Sequence, residues 1–350
     1  MVSRTFSGAR PKMRTVIACF VVVVLVACGD GAPSSPTSPT SPTSPTTPGY
    51  ALSGTVRDSR PDGPLIAGAT VRLDNGRSTT ADPDGRYRFP SVSGAVVVTG
   101  SSLHHVPASV TVTMDQDRTV DFQLDHTGIP PFDGTVFISP QLITTSDPSS
   151  LVDVTYTGRG MRDVFDRRVD RWITVDAYLF DARYTWGNVE FQVNPEFGSV
   201  DAARNEVDTY AHPLGRLPAF MMTNAREVEI NDGVELFGGN PNGSFLVHTG
   251  QGQRYIDDGF LEEVLFHEAA HVSLDTKHAD ASGWTAAQTA DGVFISTYAR
   301  DNPGREDVAE SILPYYALRM SGRLRDTDQT AILVAIPNRL EYFDRQGFAP

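Results

Sequence analysis

Between Gly29 and Gly49 the sequence reads GDGAPSSPTSPTSPTSPTTPG. A Ser/Pro/Thr repeat of this kind cannot bury a core and favours extended, polyproline-type backbone. Whatever folds must therefore fold from Tyr50 onward, with this tract as a tether. Both cysteines of the chain, Cys19 and Cys28, lie ahead of that boundary, so no disulfide framework supports the folded part. At 350 residues in all, the chain is long enough for two folded units behind the tether.

The segment before the tract has its own character. A basic MVSRTFSGARPKMR precedes TVIACFVVVVLVAC, whose apolar run is short for a membrane span and reads as an export signal. Its end, Leu25-Val26-Ala27-Cys28, resembles the lipobox of bacterial lipoproteins. That resemblance implies a signal peptide over 1–27, a diacylglycerol-bearing Cys28, a linker over 28–49, and a location in the cell envelope facing outside the cytoplasm. A plain secretory signal or an uncleaved anchor gives the same compartment. Beyond residue 27 the chain holds 25 basic and 43 acidic residues, a net charge of −18. A surface so acidic repels phosphate backbones, and nucleic acid is not an expected partner.

From Tyr50 to His126 short alternating segments (LSGTVRD, ATVRLD, RSTTAD, GRYRFP, AVVVTGS, SVTVTMD, TVDFQL) are separated by turn chemistry at PDG (61–63) and DPDG (82–85). Period-two alternation with such turns predicts an all-β, Ig-like sandwich. TTADPDGRYRF, at 79–89 behind AGATV, resembles the carboxypeptidase regulatory-like domain family. The resemblance implies a spacer or binding module without chemistry. His104 and His105 are expected at an edge or in a loop.

Residues 130–350 are expected to form one α+β domain. TVFISP, VDAYLFDA and VEFQVN read as strands, the stretch TGRGMRDVFDRRVDRWI (157–173) as helix, and GSFLVHTG (243–250) as a strand bounded by glycines. The most specific pattern is VLFHEAAHVSLDTKH, from Val264 to His278. On a helix His267 and His271 project from one face a turn apart. Two imidazoles so placed can share a Zn²⁺, and Glu268 beside them suits a general base better than a ligand. The bland alternative is two surface histidines on an amphipathic helix. Asp258 is the expected helix cap, with Glu262 and Glu263 in the first turn. Leu261, Leu265, Ala269 and Val272 make an apolar stripe.

Two continuations compete to complete the coordination. HExxHxxGxxH would need glycine at 274 and histidine at 277, where the chain has Leu274 and Lys277. His278 comes one residue late and is expected to be exposed or behind the ligands. The other continuation is STYARDNPGREDVAESILPYYALRM, from Ser296. Asn302 and Pro303 read as the cap and first residue of a helix. On it Glu306 and Glu310 share a face, so that one can bind metal and the other orient a ligand. Pro314 should disturb that helix.

HExxH followed by STYARDNPGREDVAE resembles the gluzincin peptidases, and within them the family of the anthrax lethal factor catalytic domain. The resemblance implies a zincin-like metallopeptidase domain over 130–350. It also implies Glu306 as third zinc ligand, Glu310 as the carboxylate behind a ligand and Tyr298 as an oxyanion-stabilising hydroxyl; a slip of one turn makes Glu310 the ligand. The expected function is zinc-dependent cleavage of a peptide or protein substrate, with GSFLVHTG as the edge strand that pairs with it; His248 on that strand is expected to be packed or exposed, with a cleft-facing ring as the alternative. Alternatives are an adhesion lipoprotein with an inactive peptidase-like domain, or a metal-dependent hydrolase of another substrate.

Overall fold

A computed structural model describes residues 49–60 and 63–348. The signal segment 1–27, the lipidation site expected at Cys28 and all of the 28–49 linker but Gly49 lie outside the described residues, as do Pro61 and Asp62 of the first turn. Among the described residues no helix is long and apolar enough to cross a membrane.

The N-terminal region is a β-sandwich. Its strands are β1 (Tyr50–Asp58), β2 (Thr70–Leu73), β3 (Ser78–Thr80), β4 (Arg86–Val92), β5 (Gly94–Ser101), β6 (Ala108–Met114), β7 (Arg118–Thr119) and β8 (Phe122–Leu124). β1 pairs antiparallel with β4 and parallel with β7 and β8; the facing sheet runs β3-β2-β5-β6. Alternation decides which residues enter the core: Leu52 and Val56 from β1, Val71 and Leu73 from β2, Tyr87 and Phe89 from β4, Val96 and Val98 from β5. Each such side chain contributes about 1.5–3 kcal/mol by leaving water. The DPDG turn closes as expected, with Asp82 Oδ1 accepting from the backbone N–H groups of Asp84 and Arg86 at 3.0 and 2.8 Å. His104 and His105 lie in the loop between β5 and β6, as expected, but His105 is not exposed there. It is buried, with Nε2 3.1 Å from Asp58 Oδ2, because Asp58 at the end of β1 is itself buried and needs partners.

The C-terminal region is a mixed sheet with helices. Its strands, β9 (Leu151–Asp166), β10 (Arg171–Tyr184), β11 (Gly187–Val193), β12 (Glu227–Asn231), β13 (Gly238–Asn240) and β14 (Ser244–His248), lie in the order β13-β14-β12-β11-β10-β9. β11, β12 and β14 are parallel, whereas β9 and β13 run antiparallel to their neighbours. The helix expected over 157–173 is instead the long β9/β10 hairpin. Its charges, which looked helical, pair across strands: Arg162 with Glu190 at 2.7 Å, Arg159 with Asp176 at 3.0 Å. Gly158 and Gly160 weigh against helix in any case. TVFISP does not join the sheet. Residues 135–139 run extended, and the backbone N–H groups of Val136, Ile138 and Ser139 donate to the buried carboxylates of Glu310 and Glu263 at 2.8–2.9 Å.

The helices are α1 (Val200–Leu214), α2 (Thr249–Asp258), α3 (Leu261–Ser273), α4 (Asp275–His278), α5 (Ser282–Asp291), α6 (Thr297–Asp301), α7 (Asp307–Tyr316), α8 (Asp326–Ala335) and α9 (Pro337–Asp344). Asp258 ends α2 rather than capping α3. Gly259, at φ 78°, turns the chain sharply, and Phe260 precedes α3 with no side-chain cap. Asn302 likewise ends α6, and α7 begins only after Glu306. α7 carries Pro314 through to Tyr316 and continues as a wider π-helical turn over Ala317–Ser321. The expected stripe of α3 is buried, joined by Phe266 and Ala270. That packing fixes α3 against α7 and presents its other face to a cleft.

Candidate metal centre and its cleft

His267, His271 and Glu306 converge. One ligand atom from each lies within 4.8 Å of the others. The two Nε2 atoms are 3.2 Å apart, and Glu306 Oε2 is 3.3 Å from that of His267 and 3.2 Å from that of His271. Behind them, His271 Nδ1 lies 2.7 Å from Asp275 Oδ2. His267 Nδ1 lies 3.2 Å from Glu310 Oε1, at ion-pair distance but off the line of a straight hydrogen bond. A carboxylate at each Nδ1 holds the proton there and leaves both Nε2 lone pairs facing one point.

Glu306 Oε2 faces the same point, buried and without a hydrogen-bond donor. Three lone-pair atoms so close together repel one another unless a cation lies among them. Tetrahedral zinc with bonds of about 2.0–2.1 Å requires ligand-to-ligand edges of about 3.3–3.4 Å, and the triangle of 3.2, 3.2 and 3.3 Å fits. When only protons compete for the site, the same carboxylates favour a proton on each imidazole. Burial works against the charged imidazoles, but Glu306 and Glu310 outweigh it and push His267 up to about 10. Burial likewise opposes Asp275 and Glu306 at His271, which rises to about 9. Against burial, the two imidazoles hold Glu306 well below the usual carboxylate range.

The remaining side chains are set around this triangle. Ser296 starts α6, its Oγ accepting from Ala299 N at 3.0 Å and donating to Glu310 Oε2 at 2.6 Å. Glu310 is thereby fixed from α6, from Val136 and from His267. Tyr298 donates from its hydroxyl to Glu306 Oε1 at 3.0 Å, where Arg305 Nε also lies at 3.1 Å. Burial, then the charge of Glu306, pushes the Tyr298 hydroxyl up to about 12. Glu268, half-buried, lines a cleft of about 380 Å³ together with His267, His271, Glu306 and Tyr298. The opposite parts of the cleft include Phe137, Leu236, Phe237, Gly238, Gly239 and Arg167.

Two sequence expectations do not hold here. β14, the core of GSFLVHTG, is an interior strand between β12 and β13, fully buried, and has no free edge. The edge is β13, which is too short and glycine-rich to stand out in the sequence. His248 is buried, in keeping with the packed account; neither ring nitrogen has a hydrogen-bond partner, Nε2 lies 3.9 Å from Asp166 Oδ1, and burial lowers its pKa. His278 is buried as well, with Nδ1 2.8 Å from the Tyr342 hydroxyl in an aromatic cluster. Asp275 is the partner that sequence reading passed over, although its spacing four residues after His271 puts both on one helix face. A larger cleft of about 580 Å³, between α1 and the start of α3, is lined by Arg216 and Glu262, paired at 2.8 Å, and contains no such cluster.

Comparison with known proteins bears on the sandwich. Residues 51–125 match the family described as carboxypeptidase regulatory-like domain. No curated protein matches the chain. Solved structures with some likeness include chlorocatechol 1,2-dioxygenase from Pseudomonas putida, at 14% identity over 23% of this chain and 61% of that one, TM-score 0.19. A DUF3823 family protein from Parabacteroides merdae is 16% identical over 39% of this chain and 59% of that one, TM-score 0.20. A streptococcal ancillary pilin is 12% identical over 43% and 59%, TM-score 0.20. The chain spans less than two thirds of each of these proteins, and likeness so slight carries no argument about function.

Proposed function

We propose that the C-terminal region is a zincin-like domain of gluzincin type, which hydrolyses peptide bonds with His267, His271 and Glu306 holding Zn²⁺. The observation that carries the reading is the ligand triangle itself: three ligand atoms at tetrahedral-edge spacing, with a carboxylate behind each imidazole. Bound there, zinc supplies Lewis acidity and lowers the pKa of a water toward about 7.

The chain's own residues supply the rest. Glu268 takes the proton of the attacking water and passes it to the leaving amine. Tyr298 donates its hydroxyl hydrogen to the developing oxyanion, and its present bond to Glu306 holds that hydroxyl beside the ligands. Glu310 and Asp275 fix the two imidazoles. Substrate in extended form pairs with the free edge of β13. The sandwich and the 28–49 tether act as a spacer from a lipid anchor on Cys28, placing the domain at the cell envelope.

The test is a peptide-library screen with the metal-stripped protein before and after one equivalent of zinc is returned. Cleavage that appears only with zinc supports the reading. A chain with a full complement of zinc that cuts no peptide sends it back to the alternatives of binding lipoprotein or hydrolase of another substrate.

A further inference from the structure

Among the described residues, one cation of the cleft has no carboxylate partner. Arg167, at the tip of the β9/β10 hairpin, lines the same cleft as Glu268 and the ligand triangle. Its Nη2 donates to the carbonyl of Phe237 at 3.0 Å. Its Nε is buried with no acceptor, and among the described residues no carboxylate comes within ion-pair distance of the guanidinium. Arg168, its neighbour, contrasts with it: that guanidinium grips Asp166 and Glu196, both at 2.8 Å. A guanidinium with a desolvated, unsatisfied N–H is costly to hold, and a planar carboxylate is the acceptor that matches its fork best.

The hairpin tip holds Arg167 in place. Phe165 N donates to Glu229 Oε2 at 2.8 Å, Asn231 Nδ2 donates to Phe165 O at 3.3 Å, and Asp166 is clamped by Arg168. The guanidinium lies over β13. A Cβ on Gly238 would come within 2.6 Å of Arg167 Nη2, while a Cβ on Gly239 would come within 2.2 Å of Glu268 O. Consecutive residues of one strand thus turn opposite faces toward Arg167 and toward the helix of the general base, and the guanidinium reaches the cleft at the strand edge. Tyr255, Phe237 and Val264 line the same cleft, Val264 standing one turn before Glu268 on α3.

We propose that Arg167 is a specificity-determining residue, binding a carboxylate of the substrate held in this cleft; this rests on the peptidase reading above. The carboxylate comes from an acidic side chain or from the substrate's own C-terminus, and both present the same planar pair of oxygens.

Three fluorescent peptides of one frame separate the sources: one with an internal Glu and an amidated end, one with Gln and a free C-terminal carboxylate, one with Gln and an amidated end. Cleavage by the zinc-loaded protein is compared in wild type, Arg167→Met and Arg167→Lys, with zinc content and thermal melting checking that each variant folds. Binding of the same peptides to zinc-loaded Glu268→Gln, with and without Arg167→Met, gives a readout independent of turnover. One carboxylate-bearing peptide should exceed the neutral one by about 10- to 100-fold in wild type, the size of a charge-assisted bidentate contact. That ratio should collapse toward one in Arg167→Met and be retained in part by Arg167→Lys. Preference for the internal Glu identifies a side-chain subsite, and preference for the free end identifies a chain-end subsite. A ratio unchanged by Arg167→Met, in cleavage and in binding, overturns the proposal. If zinc-loaded wild type cuts nothing while Glu268→Gln binds the carboxylate peptides through Arg167, the peptidase reading fails and the carboxylate site stands.

Discussion

Asp275 shows how much a single residue carries in this centre. It costs nothing in coordination number, yet its 2.7 Å contact with His271 Nδ1 selects the tautomer that turns Nε2 toward Glu306. Asp275→Asn should weaken zinc affinity by about 10- to 100-fold with little change in melting temperature of the zinc-free chain, as read by competition against a chromophoric chelator. The residues closest in sequence were the most legible: the HExxH spacing places two imidazoles by helix geometry alone. Glu306 and Glu310 were legible as a pair of which one can bind metal, but the choice between them and the part of Tyr298 came only through resemblance, because an intervening loop leaves their direction undetermined by periodicity. Arg167 left no local signal, since its contact with Phe237 spans 70 residues.

At the level of elements, β13 and α3 form a close contact that depends on a missing side chain. Gly239 lets the strand pass over the carbonyl of Glu268; an added methyl would sit 2.2 Å from that oxygen. Gly239→Ala should cost about 1–3 kcal/mol of stability and lower cleavage rates by displacing the strand edge, measurable by urea unfolding and by kcat on one peptide. A second element-level feature is the extended segment 135–139, whose N–H groups close over Glu263 and Glu310. TVFISP looked like a strand because its alternation is real, but side-chain carboxylates replaced the neighbouring strand as its acceptors. Burial raises Glu263 from 4.5 to about 7, against the two backbone bonds that favour its anion. An acid with a raised folded pKa binds its proton more tightly folded than unfolded. Its contribution is therefore fully present below about 4.5 and lost as pH rises through about 7. Roughly 3 kcal/mol should disappear across that window, and Glu263→Gln should flatten this part of the pH dependence in urea titrations at pH 5 and pH 7.5.

On the scale of the whole molecule, Arg60 ties the sandwich to the C-terminal region. Its guanidinium is gripped by Asp58 at 2.8 Å, and donates to the carbonyls of Asp291 at 2.5 Å, of Ala335 at 3.3 Å and of Val334. These carbonyls end α5 and α8, where helix dipoles favour a cation. Against burial, His105 and Arg60 hold Asp58 well below the usual carboxylate range. Arg60→Ala should cost about 1–3 kcal/mol and open the 126–131 connection to limited proteolysis, while peptide cleavage persists. The two-region layout was legible from alternation and turn chemistry, but the tie between the regions was not, because its acceptors are backbone carbonyls, which every residue carries. The central claim concerns the centre itself, and counting zinc and hydrolysis on the same samples of wild type and Glu268→Gln tests it most directly. Both proteins should hold one zinc per chain, with cleavage falling by several orders of magnitude only in Glu268→Gln; equal cleavage by the two, or by the zinc-free chain, would contradict it.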